Sequence, residues 1–279
     1  MRGSAPFLKA LGVAEHLTTH ELARILHVSA ATVRRWADSG LLPAVRTAGG
    51  HRRFSRDVAE RIAHQPPMGE REDADRWVEL LVSPGASLDV DAALLAERHR
   101  RGSWCAVANE LGPVLERLGY RWEHNELTVV HEHLASARLG RSLARISEGL
   151  PGRLGGPRAL LMTPEHEGHT LGLSLVELVL RENGWSVLFA GSMVPANLAV
   201  RYLESGDMDA VLVSASVHST PEVLRAAGEE LGAGCANASV PLVVGGRGPW
   251  PDPLSHGEII RDFDGLTAWI RRSDEARLA

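Results

Sequence analysis

Residues 158–191 read RALLMTPEHEGHTLGLSLVELVLRENGWSVLFAG, and this stretch decides the fold of the largest part of the chain. RALLMTP is a short apolar run closed by proline, LGLSLVELVLRENG carries apolar residues at helical spacing and ends at glycine, and WSVLFAG is a second apolar run. Short apolar runs bounded by turn signals describe buried strands, and a strand, helix, strand succession leads to parallel pairing. The alternation continues outward. VPANLAVRYLESG is a helix, DAVLVSA a third strand, PEVLRAAGEELGAG a helix and VPLVVGG a fourth strand, while GEIIRDFDGLTAWIRRSDEA completes an edge. Residues 158–275 therefore make a parallel α/β domain, with a ligand expected above the strand ends.

The loop after the first strand holds Glu167, His169 and Gly172 in an acid-x-His-x-x-Gly spacing. A neutral imidazole on such a loop can give one ring nitrogen to a metal while a carboxylate engages the other ring proton and fixes the tautomer. Gly172 lets the loop and the following helix approach a bulky planar ligand. His166 competes for the same role but lacks a glycine three positions on. Each residue also has an ordinary reading: His169 as an exposed loop residue, Glu167 as a solvated acid, the glycines as tight-turn residues.

Further along lie Ser214 in VSAS and the pair Gly245 and Gly246 in LVVGGRG. With these in place, residues 158 to about 272 resemble a cobalamin-binding, Rossmann-like domain. The resemblance implies that His169 is the lower axial ligand of cobalt and Glu167 its orienter. It places Ser214 beside the buried dimethylbenzimidazole tail and has Gly172, Gly245 and Gly246 clearing its passage. Two departures stand out. The acid is usually Asp and here is Glu167, and the usual S-x-L is here Ser214-Ala215-Ser216, with a polar third position.

The other end of the chain is built differently. In LTTHELARILHVSAATVRRWADSG (17–40), Thr19 can cap a helix whose apolar face is Leu22, Ile25 and Leu26. Ser29 can cap a second helix that turns Ala30, Val33 and Trp36 inward and leaves Thr32, Arg34 and Arg35 outside, with Gly40 as the stop. That is a helix-turn-helix, in which the first helix supports a second that can enter the major groove. LLPAVRTAGGHRRFSRDVAERI (41–62) adds an extended segment, a turn at Gly49 and Gly50, a basic wing carrying Arg52 and Arg53, and a helix over 55–62. VRRWADSGLLPAVRTAGGHRRF (33–54) resembles the DNA-binding domain of the MerR family. The resemblance assigns Thr32, Arg34, Arg35, Arg52 and Arg53 to double-stranded promoter DNA; otherwise the arginines are ordinary surface charge. The domain takes in 11–67, and QPPMGEREDAD (65–75) has a linker's proline, glycine and charge.

Between the two ends, residues 74–148 read as four helices, and a bundle can bury Trp77, Leu80, Leu81, Leu94, Leu95, Val107, Leu111, Leu115, Val129 and Leu134. Pro113 marks a first turn or a bend. The fold class is thus multidomain: a winged helix-turn-helix, a four-helix bundle and a Rossmann-like α/β domain.

The bundle contains W-x9-E-H: Trp122, Glu132 and His133. With the domain order, this resembles the CarH/LitR group of cobalamin-dependent, light-responsive MerR regulators. The resemblance implies a non-enzymatic repressor that holds adenosylcobalamin, assembles as a dimer or tetramer on DNA in darkness and lets go in light. Trp122 would then shield the upper ligand, Val129 shape its pocket, and Glu132 and His133 meet the adenosyl group or a neighbouring protomer. As plain bundle residues, Trp122 would be core, Glu132 a solvated or capping acid and His133 an interhelical contact. The group can carry a histidine directly after the tryptophan, whereas this chain has Glu123, with His124, His131 and His133 as the nearest substitutes. A regulator that senses cobalamin availability or redox state also suits both ends of the chain. A cobalamin-dependent enzyme or corrinoid carrier suits only the α/β domain.

Composition agrees with several domains. The chain has 279 residues and 44% hydrophobic content, and no run of eighteen apolar residues or convincing signal segment, so a cytoplasmic protein without a membrane span is expected. Cys105 and Cys235 lack metal-site spacing and read as buried or incidental thiols. The formal charge of −5 hides a split, because residues 1–64 carry +5 and the remainder −10. An acidic total does not prevent a basic head from meeting phosphates.

Overall fold

The computed structural model describes residues 16–56 except 27 and 39, residue 59, and residues 72–83, 87–150 and 152–278. The head comprises β1 (His16–Leu17), α1 (Thr19–Ile25), α2 (Ala30–Asp38), β2 (Ala44–Arg46) and β3 (Arg52–Ser55). Its small antiparallel sheet has the order β1-β3-β2. The cap of α1 is Thr18, one residue earlier than expected: its hydroxyl accepts from Glu21 N–H while the Glu21 carboxylate accepts from Thr18 N–H, a reciprocal box that Thr19 cannot form. Ser29 Oγ accepts from Thr32 N–H at 3.0 Å, which starts α2 as the sequence suggests. The wing hairpin turns at Gly50, whose φ of +77° suits glycine. Most of the helix expected over 55–62, and of the linker over 65–75, lies outside the described residues.

Thr32 departs from expectation. It is buried, with its hydroxyl 2.9 Å from Ser29 Oγ, because at helical period it lies one turn before Trp36 and beside Val33 on the inward stripe. The exposed side of α2 is formed by Ala31, Arg34, Arg35 and Asp38.

The bundle consists of α3 (Glu72–Val82), α4 (Ser87–Arg101), α5 (Trp104–Glu123) and α6 (Val129–Glu148). Trp77, Leu81, Leu94, Leu95, Val107 and Leu111 are buried in it, and Leu80, Leu115 and Leu134 are half-buried. Val129 is not a core residue: it opens α6 and is 51% exposed. Pro113 lies inside α5 rather than at its first turn, on the exposed side, where water can reach the carbonyl left without a donor. Arg145 clamps the buried Asp91 across the bundle, at 2.7 Å from Nη2 to Oδ1.

Head and bundle meet at Trp36. Its indole N–H donates to the Ile146 carbonyl at 3.3 Å, and the indole comes so close to Gly149 around its ring nitrogen that any Cβ there would overlap it. Trp36 is fully buried, so it belongs to the head core and to the docking contact at once. Trp36→Ala is expected to lower the unfolding free energy by about 3–5 kcal/mol, the usual cost of emptying a large aromatic site. Denaturant titration followed by tryptophan fluorescence and circular dichroism measures it. A loss under about 1 kcal/mol would mean that the site collapses around the gap.

The last unit runs β4 (Arg158–Met162), α7 (Leu171–Glu182), β5 (Ser186–Gly191), α8 (Ala196–Leu203), β6 (Ala210–Ala215), α9 (Pro221–Ala238), β7 (Leu242–Gly246), β8 (Glu258–Ile260) and α10 (Phe263–Leu278). All pairings are parallel in the order β5-β4-β6-β7-β8. The order reverses between β4 and β6, and at such a switch point the loops leaving the strand ends part to form a crevice. The bundle is tied to this unit through Glu182, which accepts from Trp104 N–H at 2.8 Å and pairs with Arg98 at 2.8 Å. Both cysteines are buried and free. Among the described residues, no helix is long and apolar enough to cross a membrane.

Candidate functional site

The loop leaving β4 is drawn into a tight turn. Thr163 Oγ donates to the Glu167 carbonyl at 2.5 Å and accepts from Met193 N–H at 3.1 Å, and His166 takes the left-handed conformation at φ +65°. The turn buries Glu167 to 2% exposure. One carboxylate oxygen accepts from His169 N–H at 2.8 Å and lies 2.6 Å from His169 Nδ1. The other accepts from Ser216 N–H at 2.7 Å, Ser216 Oγ at 2.8 Å and Ser219 Oγ at 2.6 Å.

Burial by itself would raise the Glu167 pKa, but the hydrogen bonds from His169, Ser219 and Ser216 outweigh it and hold the carboxyl well below the usual range. The same pairing pushes His169 up, chiefly through the bond to Glu167 and against its own partial burial, with the charges of Glu167 and Glu132 adding to it. A carboxylate only accepts, so Nδ1 carries the proton and Nε2 is the ring nitrogen that remains for another partner. The His169 side chain is 61% exposed, so that nitrogen is reachable.

Ser214, at the end of β6, is in register with Gly245 on β7. A Cβ at Gly246, where φ is +78°, would strike the Ala215 carbonyl and come 2.9 Å from Ser214 Oγ. A Cβ at Gly172 would come 3.4 Å from the same oxygen. Gly172 and Gly246 thus both lie close to the Ser214 hydroxyl. Gly245 has a different reason to be glycine: its Cβ would lie 2.6 Å from the Ile260 carbonyl on β8.

Above the loop stands the first half of α6. Val129, Glu132, His133 and Ser136 recur at three- and four-residue steps and share one face, which ends in Gly140, whose Cβ would meet Leu171 at 3.5 Å at the start of α7. The charge of Glu132 therefore reaches His169. Glu132 is held by Ser136 Oγ at 2.6 Å and lies 2.6 Å from His133 Nδ1. Trp122, at the end of α5, is 41% exposed and so is not a bundle core residue.

The histidines weighed as substitutes near Glu123 separate clearly. His124 stacks on Tyr120 at 3.9 Å with Nδ1 2.8 Å from the Tyr120 carbonyl, and two residues on a helix, about 200°, put it on the side away from Trp122. His131 is spent on capping, with Nδ1 3.0 Å from Thr128 Oγ. His133 alone of the three shares the Glu132 face.

On the head, Arg34 and Arg35 are exposed on α2. The wing arginines are more tied in than their spacing suggests. Arg52 donates to Asp38 at the end of α2 and is 18% exposed, and Arg53 donates to the Arg52 carbonyl at 3.0 Å. Arg46, across the hairpin from Arg52, is 60% exposed and adds a cation that the sequence reading passed over. Its signal was present in AVRTAGGHRR, where the alternation of a hairpin sets 46 opposite 52.

A helix-turn-helix domain model matches residues 17–58, and two B12 binding domain models match 59–147 and 157–259. The chain is 28% identical over 258 residues to the HTH-type transcriptional repressor CarA of Myxococcus xanthus, covering 83% of this chain and 87% of that protein. In domain content, and over most of its length, the chain is thus similar to a CarH-like repressor. The HTH-type transcriptional repressor CarH of the same organism is 40% identical over 88 residues, covering 31% of this chain and 28% of its relative. Among solved structures, the monomethylamine corrinoid protein of Methanosarcina barkeri superposes with a TM-score of 0.54 at 16% identity, over 73% of this chain and 100% of that one. That likeness concerns the fold of bundle and sheet together.

Proposed function

We propose that this chain is a transcriptional repressor that holds adenosylcobalamin, binds promoter DNA as an oligomer in darkness and releases it in light. The observation that carries the reading is the pairing of buried Glu167 with reachable His169 at the switch point, within reach of the charge of Glu132 on α6. The residues fit a corrinoid. His169 Nε2 is the nitrogen left for cobalt, and a Cβ at Gly172 or Gly246 would crowd the Ser214 hydroxyl. When bound, the cofactor supplies a cobalt–carbon bond that light can break.

The chain's own residues do the rest. With the cofactor bound, His169 would hold the cobalt, Ser214 would meet the nucleotide tail, and Trp122, Val129, Glu132 and His133 would cover the adenosyl group. For light to change DNA affinity, these upper contacts must differ between the two cofactor states, since equal binding to both would shift nothing. CarA and CarH are repressors by name, which agrees with the basic head. A carrier or enzyme role leaves that head unexplained.

The test follows absorbance, molecular mass and DNA binding of one adenosylcobalamin-loaded sample before and after green light. Loss of the cofactor band with a fall in mass and DNA affinity is expected. Photolysis without either change would sink the light-responsive reading. The placement of His124, stacked on Tyr120, favours a second reading, a sensor of cobalamin availability, because this side chain is already engaged away from Trp122. In that case dark loading controls DNA binding and light does not.

A further inference from the structure

We propose that Ser216 and His218, on the loop after β6, are positioning residues that fix the orientation of the His169 ring. The inference rests on reading His169 as the lower ligand and extends it to two residues that neither the cobalamin pattern nor the chain's spacing assigns.

Ser216 stands where the resembling pattern has leucine, and its hydroxyl uses its full capacity. It donates to the second oxygen of Glu167 at 2.8 Å, accepts from His218 N–H at 3.2 Å, and lies 3.2 Å from His169 Nδ1, the proton that Glu167 also takes. Its backbone N–H adds a second bond to the same Glu167 oxygen at 2.7 Å. Glu167 is therefore pinned from the β6 loop on one oxygen while it holds the imidazole edge with the other. The carboxylate of Glu167 bridges the two loops, and Ser216 supplies a hydroxyl that leucine cannot. The two residues at which the chain departs from the common pattern thus touch each other.

His218 addresses the remaining freedom. An edge bond at Nδ1 fixes the ring in its plane but leaves it able to swing about that bond. The His218 ring lies 5.2 Å from the His169 ring at an interplanar angle of 26°, against its face. Because His218 N–H is itself held by Ser216 Oγ, a single serine sets both the edge and the face restraint. Outer partners of metal-ligating histidines change metal affinity by about 10–100-fold when removed.

The test uses the full chain loaded with cobalamin and reduced to the Co(II) state, in which splitting by an axial nitrogen is read in the electron paramagnetic resonance spectrum. Cofactor release is timed in parallel by absorbance. Ser216→Leu and His218→Leu are expected to lower the nitrogen-coordinated fraction and to speed release by about 10-fold, the lower end for an outer partner. Ser216→Thr, which keeps a hydroxyl, should stay near the parent. Glu167→Asp with Ser216→Leu restores the common pair and should recover much of what Ser216→Leu alone loses. If Ser216→Leu, Ser216→Ala and His218→Leu all match the parent while His169→Ala loses the nitrogen signal, the positioning role is wrong and the ligand reading stands. If His169→Ala also keeps the signal when loaded with cobinamide, which lacks the cofactor's own benzimidazole nitrogen, both are wrong.

Discussion

His169→Ala is expected to abolish nitrogen coordination from the protein and to weaken cobalamin binding by at least the roughly 10–100-fold that outer partners of such ligands contribute. Stability should barely move. Glu167 accepts five hydrogen bonds, from His169 N–H, His169 Nδ1, Ser216 N–H, Ser216 Oγ and Ser219 Oγ, and the substitution removes only the second of them. The buried carboxylate stays satisfied, and the lost ring was 61% exposed. Titration with cobalamin, together with denaturant unfolding of the cofactor-free chain, separates the two quantities. A variant that binds as tightly as the parent would move the lower ligand elsewhere. A variant that unfolds much more easily would make His169 a structural residue.

Arg34→Ala with Arg35→Ala should flatten the salt dependence of duplex binding. Each phosphate contact removed takes about 0.9 from the slope of log affinity against log salt, so a loss of about 1.8 is expected if both reach the backbone. These two residues carry the prediction because they are exposed on α2, whereas Arg52 is engaged by Asp38 and Arg53 is half-buried. Removing Arg52 would do two things at once, deleting a cation and releasing an anion beside the helix proposed to meet DNA. Its effect is therefore less clean. Thr32→Ala makes the contrast, since it strips a buried hydroxyl from Ser29 and should lower stability without altering the slope. Fluorescence anisotropy with a labelled duplex across a salt series gives all three slopes, and an unchanged slope for the arginine pair would remove α2 from the phosphate contacts.

How far the chain can be read unaided depends on sequence distance. Glu167 and His169 are two residues apart on one loop, so their pairing was legible from spacing and chemistry. Ser216 lies 49 residues from Glu167, and only the parallel neighbours β4 and β6 bring it there. In sequence it was visible merely as an odd letter in S-A-S. Thr32 illustrates a different loss. A helical wheel centred on Val33 and Trp36 leaves 32 at the margin of the inward stripe, and the Ser29 hydroxyl decides which side it takes. Val129 was counted both for the bundle core and for the pocket, and its place at the first turn of α6 settles on exposure. The strand-and-helix alternation of residues 158–278 was plain, because alternating short apolar runs and long amphipathic ones admit few other folds.

α6 touches α7 near its middle, at Gly140, with Glu132 about 12 Å to one side and Ile146 about 9 Å to the other at 1.5 Å per residue. The helix cannot tilt there by itself, because Arg145 is tied to the buried Asp91 and Arg138 to the Leu81 carbonyl, so a push on the end beside Glu132 is carried by the bundle as one body. The indole that holds the head sits on the other end, at the Ile146 carbonyl and Gly149. The seat of the head and the carboxylate whose charge reaches the imidazole thus ride on one helix.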